Sequence, residues 1–360
     1  MRSATRVLLP ALAWTAVVAA LAAGCWEAAR RVDLLLTRPA SEGREYPVVV
    51  EIPAGLGATS IATRLAEVGV LDQPLAFLVW LRLTGQASRL QAGEYRVDRP
   101  SSPLELADLL VSGRVVLHDF TVPEGLDRFE TAGLLAAEGW WREEDILAAF
   151  ADPSPVASVD PAAKDLEGYL FPETYRFPKG ARARDVARAL AGRFAAVWAE
   201  LDGDRRAAAL GRTAREVVAL ASLVEEETAL PQERRLVASV FHNRLARGMK
   251  MECDPTVIHA LKLDGAWHGG ALRRSDLAHA SPYNTYVAPG LPPGPIASPG
   301  RAALEAALDP ARSDLLFFVA SGNGGHRFAE TADQHARNVA RWRRVQAEQA
   351  QRVADGAAAE

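Results

Sequence analysis

The chain has 360 residues, of which 49% are apolar and 24% charged, with a formal net charge of −4. This balance suits two or three compact units and excludes wholesale disorder, and the near-neutral charge argues against a general nucleic-acid binder. Only two cysteines occur, Cys25 and Cys253, which excludes a disulfide framework and is compatible with a bacterial periplasmic setting.

The first expected element is an apolar helix. The run VLLPALAWTAVVAALAAGC from Val7 to Cys25 carries no charge, with Arg2 and Arg6 before it and Arg30 and Arg31 after. Its length is near the ~20 residues that cross a bilayer core. Three readings compete: an uncleaved anchor, a lipoprotein signal (LAAGC resembles a lipobox at Cys25) and a cleaved signal peptide. The anchor is preferred, and each reading sends the rest of the chain across the inner membrane. Segment 1–31 is therefore read as cytoplasmic tip and transmembrane anchor, and 32–45 as a linker.

A repeat follows. IPAGLGATSIATRLAEVGVL from Ile52 aligns with VPEGLDRFETAGLLAAEGWW from Val122, pairing Pro53 with Pro123, Gly55 with Gly125, Leu65 with Leu135 and Gly69 with Gly139. EYRV at Glu94 answers TYRF at Thr174, so the second copy holds an insertion, placed at DPSPVASVDPAAKD. Each copy predicts a β-branched strand, a Pro-x-Gly-Leu turn and a helix capped by Gly69 or Gly139, then a second helix and a short strand. Such β-α units bind glycans or peptides, or serve as a duplicated scaffold without a ligand. The first copy is assigned to 46–118 and the second, leading into the following domain, to 119–195, with that domain's core over 196–345 and a disordered tail over 346–360.

From Arg215 the pattern turns helical, with Val217, Leu220, Leu223 and Val224 at three- and four-residue spacings, and it ends in Glu225, Glu226 and Glu227. At about 100° per residue, Glu227 falls about 20° from Leu220, whereas Glu225 and Glu226 fall about 140° and 120° away on opposite sides. Glu227 thus continues the apolar stripe, while its two neighbours are expected in solvent. A carboxyl on a buried face costs free energy unless paired or neutral, and burial raises its pKa as a general acid requires. Glu216 shares the same line and Pro231 ends the helix, so the wheel alone does not single out one acid.

A second amphipathic helix is expected from near Pro231 to Gly248. Beyond it, SPYNTYVAPGLPPGPIASPG is too polar and proline-rich for a core element and reads as a loop lining a cleft. Tyr283, Asn284 and Tyr286 there offer stacking faces and hydrogen-bonding groups to a sugar, or else a loop held by its own hydrogen bonds. Asp254 before Pro255 reads as a helix N-cap or as a second acid, and Glu225 and Glu173 are further candidates for a second acid. The strand LLFFVA, a glycine turn and a final helix close the chain. No HExxH or Cys-x-x-Cys pattern is present, and His326 and His335 are poorly spaced as ligands, so neither metal nor cofactor is expected. No nucleophile elbow or phosphate-binding loop occurs.

These segments resemble the endolytic murein transglycosylases of the MltG or YceG-like family. The likeness is carried by GYLFPETY from Gly168, ASLVEEET from Ala221, ERRLVASVFHNRL from Glu233, DPTVIHAL from Asp254, YNTY from Tyr283, GLPPGPIASPG from Gly290 and GGHRF from Gly324. It covers nearly the whole chain. It implies an α+β enzyme with an N-terminal membrane anchor, a LysM-like β-α subdomain and a mixed α/β catalytic domain facing the periplasm. The implied reaction cuts peptidoglycan glycan strands internally between N-acetylmuramic acid and N-acetylglucosamine, leaving 1,6-anhydro ends. The glutamate preceding threonine, here Glu227, is the implied acid, and His326 joins Tyr283, Asn284, Tyr286, Asp254 and Glu173 as candidates for substrate contact. Implied partners are the glycan strands, the inner membrane, and penicillin-binding proteins or other wall-synthesis machinery. His242 and His259 stand where an apolar residue and a tyrosine are common, and Cys253 replaces a small hydroxyl residue. The alternatives are a non-catalytic peptidoglycan-binding module and a hydrolytic muramidase, which would need Asp254 near Glu227 to activate water.

Overall fold

The computed structural model describes residues 5–40, 45–228, 230–322 and 324–357, and in its two terminal helices the side chains of 14–37 and 332–349. The chain is a mixture of helices and short strands that divides into two compact units, Met1–His118 with Arg176–Gly180, and Asp119–Tyr175 with Ala181–Glu360.

The first unit opens with helix α1 (Thr5–Thr37), which contains the apolar run expected to span a membrane. The side chains before residue 14 lie outside the described residues, and among those described no helix is long and apolar enough to cross a membrane. Trp14, Leu21 and Trp26 are exposed on α1, whereas Leu36 near its end is buried. The helix therefore continues through Thr37, into the segment expected as a linker; residues 41–44 of that linker lie outside the described residues.

Strand β1 (Val48–Ile52), helices α2 (Ala58–Glu67) and α3 (Pro74–Leu83), strand β2 (Gly93–Val97) and helix α4 (Pro103–Ser112) follow. β1 and β2 pair antiparallel, Val50 opposite Tyr95. Alternation along both strands turns Val50, Ile52, Tyr95 and Val97 inward onto Ile61, Leu65, Phe77, Leu81, Leu106 and Leu110, which form one core. Gly69 ends α2 at φ 73°, where its N–H and that of Val70 return to the Ala66 and Leu65 carbonyls.

The same order of elements recurs: β3 (Leu117–Thr121), α5 (Arg128–Ala136), α6 (Glu143–Phe150), β4 (Thr174–Pro178) and α7 (Ala183–Glu200). β3 and β4 pair, and the division between the units falls within both strands. The aligned residues Pro53 and Pro123 each follow the first strand of a copy, and Asp127 caps α5 with a capping box to Glu130.

The second unit continues with α8 (Gly203–Ala209), α9 (Ala214–Glu227), α10 (Arg234–Ala246), α11 (Asp254–Leu263) and α12 (Arg301–Leu308). Strands β5 (Phe317–Ala320) and β6 (His326–Ala329) pair antiparallel, and α13 (Ala332–Ala357) closes the chain. α13 carries regular helix through the first part of the tail expected to be disordered. α9 is the axis of this unit. Every residue from Val217 to Val224 is buried, because α12, α10, α8 and α11 surround it.

Candidate active site

α9 begins with Thr213 accepting from the Glu216 N–H while the Glu216 carboxylate accepts from the Thr213 N–H. This capping box gives Glu216 a structural role, and so separates it from Glu227 on the same helical line. The three glutamates at the other end of α9 occupy three different surroundings. The wheel assumed one buried face, but α9 is enclosed on all sides, so Glu225 is not in solvent as expected. Its side chain is 7% exposed, and it accepts a 2.8 Å hydrogen bond from the Gly300 N–H at the start of α12, with Arg234 3.8 Å away. An anion at a helix N-terminus is stabilised by the free N–H groups there. Glu226 is exposed, as expected, yet stands in a crevice where desolvation, then Glu130, push its carboxyl up to about 7 against the pull of Lys262.

Glu227 lines a cavity of about 590 Å³ together with Asp254, Tyr286, Arg244, Glu252 and His326. Burial raises its pKa, and the neighbouring Asp254 carboxylate adds to the rise. The Cys253 thiol donates to Glu227 Oε1 at 3.0 Å and acts the other way, as do His326 and Arg244. Cys253 is itself fixed: its N–H donates to Thr285 Oγ1 at 3.0 Å, and its carbonyl accepts from Thr256 Oγ1 at 2.6 Å. Cys253 is also the N-cap of α11. Asp254 is therefore the first helical residue rather than the cap, and its carboxylate instead accepts from the Tyr286 hydroxyl at 2.6 Å.

Also lining the cavity, His326 opens β6, with Nδ1 2.7 Å from Glu233 Oε2 and its N–H donating to Oε1 of the same carboxylate at 3.0 Å. Arg244 on α10 is 8% exposed, and its guanidinium donates to the carbonyls of Leu316 at 2.7 Å and Met251 at 2.8 Å. It ties the β5 end to the segment leading into α11. Of the expected site residues, the structure thus gathers Glu227, Asp254, Tyr286 and His326 around one cavity.

The others fall elsewhere. Asn284 is fully buried; its amide donates to the Leu277 and His279 carbonyls at 3.1 and 2.8 Å, and its Oδ1 accepts from the Tyr286 N–H at 2.9 Å. Its hydrogen-bonding groups are spent holding the loop, so it does not offer them to a sugar. Tyr283 lines a separate cavity with Asp160, Glu167 and Arg215, its ring 5.0 Å from that of His259. Glu173, beside β4, is engaged by Arg193 and does not line the Glu227 cavity. Sequence reasoning missed Arg244 and Glu233; an arginine within an otherwise amphipathic helix, HNRLARG, was the available signal for the first. The charged residue opening ERRLVASVF was the signal for the second.

A half-enclosed carboxyl whose pKa is raised by burial, beside hydrogen-bonding groups in a polar cleft, has the surroundings that a general acid needs. The sequence model described as YceG-like family matches residues 50–341, and the chain belongs to that family. An endolytic murein transglycosylase of Bacillus subtilis is 30% identical over 316 residues, covering 83% of this chain and 86% of that protein. One of Streptococcus pneumoniae is 30% identical over 346 residues, covering 86% of this chain and 60% of the longer relative. The crystal structure of a yceG-like protein from Listeria monocytogenes superposes with a TM-score of 0.55 at 29% identity, covering 82% of this chain and 99% of that one.

Proposed function

We propose that this chain is an endolytic peptidoglycan lytic transglycosylase with Glu227 as its catalytic acid. The observation that carries the reading is the placement of Glu227: buried enough for its pKa to rise, open to a polar cavity, and oriented by a fixed donor. Its membership of a family whose relatives bear that name supports the substrate class.

The chemistry needs one carboxyl group. Glu227 protonates the oxygen leaving from the muramic acid C1, and the C1–O bond breaks while the muramic acetamide supports the positive charge at C1. The Glu227 carboxylate then takes the proton from the C6 hydroxyl of the same sugar, whose oxygen closes on C1 to give the 1,6-anhydro ring. Glu227 ends protonated, and no water is consumed. Tyr286, Asp254 and His326, which line the same cavity, stand as substrate contacts.

Asp254 on the same cavity favours a second reading, a hydrolytic muramidase in which it activates water. The Tyr286 hydroxyl already occupies Asp254 Oδ1, an oxygen that an attacking water would have to reach, so the transglycosylase reading is preferred. Mass spectrometry of the products separates the two: an anhydro end supports the first, a reducing end the second.

The strand–helix–helix–strand order in the first unit supports reading it as a LysM-like glycan-binding subdomain. The apolar run of α1 supports a single inner-membrane anchor with the catalytic unit in the periplasm. An intact N-terminal mass would support the anchor, and a mature chain beginning at an acylated Cys25 would replace it with a lipoprotein. Wall-synthesis enzymes, among them penicillin-binding proteins, are the partners this reading implies.

A further inference from the structure

A second cavity, of about 280 Å³, opens next to the Glu227 cavity, and both are walled by Glu226 and Pro255. Its size sits near the lower end of the ~300 Å³ that small-molecule sites begin at, which suits one ring rather than an extended chain. Trp267 lines it, half-buried and edged by His268 at 4.9 Å between ring centroids. The same cavity is lined by three carboxylates, Asp127, Glu130 and Glu226, and by Lys262. Lys262 donates to Asp127 at 2.6 Å and to Glu130 at 2.7 Å; Asp127 is also committed to the α5 cap, so the exposed carboxylates of Glu130 and Glu226 are the ones left to accept.

His259 lines the same cavity at 4% exposure, and its Nδ1 has no hydrogen-bond partner among the described residues. A buried ring nitrogen without a partner is costly unless something supplies one. Desolvation pushes His259 down to about 4, so the ring is neutral and one of its nitrogens is an acceptor. An indole face beside several fixed acceptors matches the two sides of a pyranose: axial C–H groups on one and hydroxyl donors around the rim.

We propose that this cavity is a sugar subsite, holding one hexosamine of the glycan strand adjoining the residues at Glu227, with Trp267 as its stacking platform. The proposal rests on the glycan-strand reading above and adds to it a residue that sets grip on the strand apart from bond cleavage. The shared wall at Glu226 lets a continuous strand occupy both cavities, as an internal cut requires.

The test is calorimetric binding of glycan strands stripped of stem peptides to the full chain carrying Glu227→Gln, which holds strands without cutting them. Adding Trp267→Ala is expected to weaken binding about tenfold, while Trp267→Phe, which keeps a ring, stays within about threefold. Glu130→Ala, at a side chain 47% exposed, gives up the α5 capping bond to the Asp127 N–H, so its fold is checked by a thermal melt; it is expected to weaken binding about threefold. Unchanged affinity in both Trp267→Ala and Glu130→Ala overturns the subsite, as does an equal loss in Trp267→Phe and Trp267→Ala. Cutting by the wild-type chain is scored separately. If it cuts strands and these variants bind normally, the subsite fails alone. If it cuts nothing, the enzymatic reading fails, and the same binding series still decides whether the cavity holds sugar.

Discussion

On the proposed mechanism, Glu227 acts only if it carries a proton when the strand arrives. Replacing it with glutamine removes the proton donor, and the expected loss in turnover is roughly 10²–10⁴-fold, with the folded state retained. Strand-cutting rates and a thermal melt of Glu227→Gln check both halves. Cys253 supplies a finer test. Its thiol donates to the Glu227 carboxylate and so favours the ionised form. Cys253→Ala withdraws that donor, raises the Glu227 pKa further, and is expected to move the alkaline limb of the kcat/KM profile to higher pH. Cys253→Ser keeps a donor and should bring the limb back. A limb that moves toward acid in Cys253→Ala would mean that the thiol does not stabilise the ionised carboxylate.

At the scale of elements, the cleft depends on a few tight joints. Gly168 has φ 79°, and a Cβ there would lie 2.2 Å from Pro295 Cβ, on the proline-rich loop before α12. Gly168→Ala is expected to cost roughly 3 kcal/mol through strain and overpacking, read as a lowered denaturant midpoint. Arg244 joins α10 to the Leu316 and Met251 carbonyls, so Arg244→Met leaves buried acceptors unpaired. The expected cost is about 3 kcal/mol, again from equilibrium unfolding.

Much of this level was legible in the sequence. The repeat, the glycine ends of its helices, the α9 stripe and the loop character of the YNTY segment all follow from local spacing and turn chemistry. What was not legible came from tertiary enclosure. Nothing local told that α12 would cover the far side of α9 and hand Glu225 a backbone N–H. Nor did the amide of Asn284 reveal that its partners would be the carbonyls of its own loop. Tyr283 and Tyr286 sit three apart in one loop, yet face different cavities, because the loop folds around the buried Asn284 between them.

For the molecule as a whole, one unit concentrates carboxyl groups whose pKa values are raised: Glu167, Glu225, Glu226 and Glu227. A carboxyl raised on folding binds its proton more tightly folded than unfolded. Its contribution is full below the unfolded value and is lost as pH rises through the folded value, which is about 7 for Glu226. Glu226→Gln should therefore gain stability relative to the wild type progressively from the ordinary carboxyl range up to about pH 7, and no further above it. Thermal melts across that range, with a constant difference between the two chains, would contradict the assignment. The membership of the chain in the YceG-like family and the cavity-lining Glu227 at the end of α9 meet in one proposed claim, internal cleavage with anhydro ring closure.

The most direct test is mass spectrometry of the products released from purified glycan strands by the wild-type chain and by Glu227→Gln. Internal fragments ending in 1,6-anhydro-muramic acid, absent with the variant, are the predicted result. Reducing ends, or anhydro products that persist in Glu227→Gln, would contradict it.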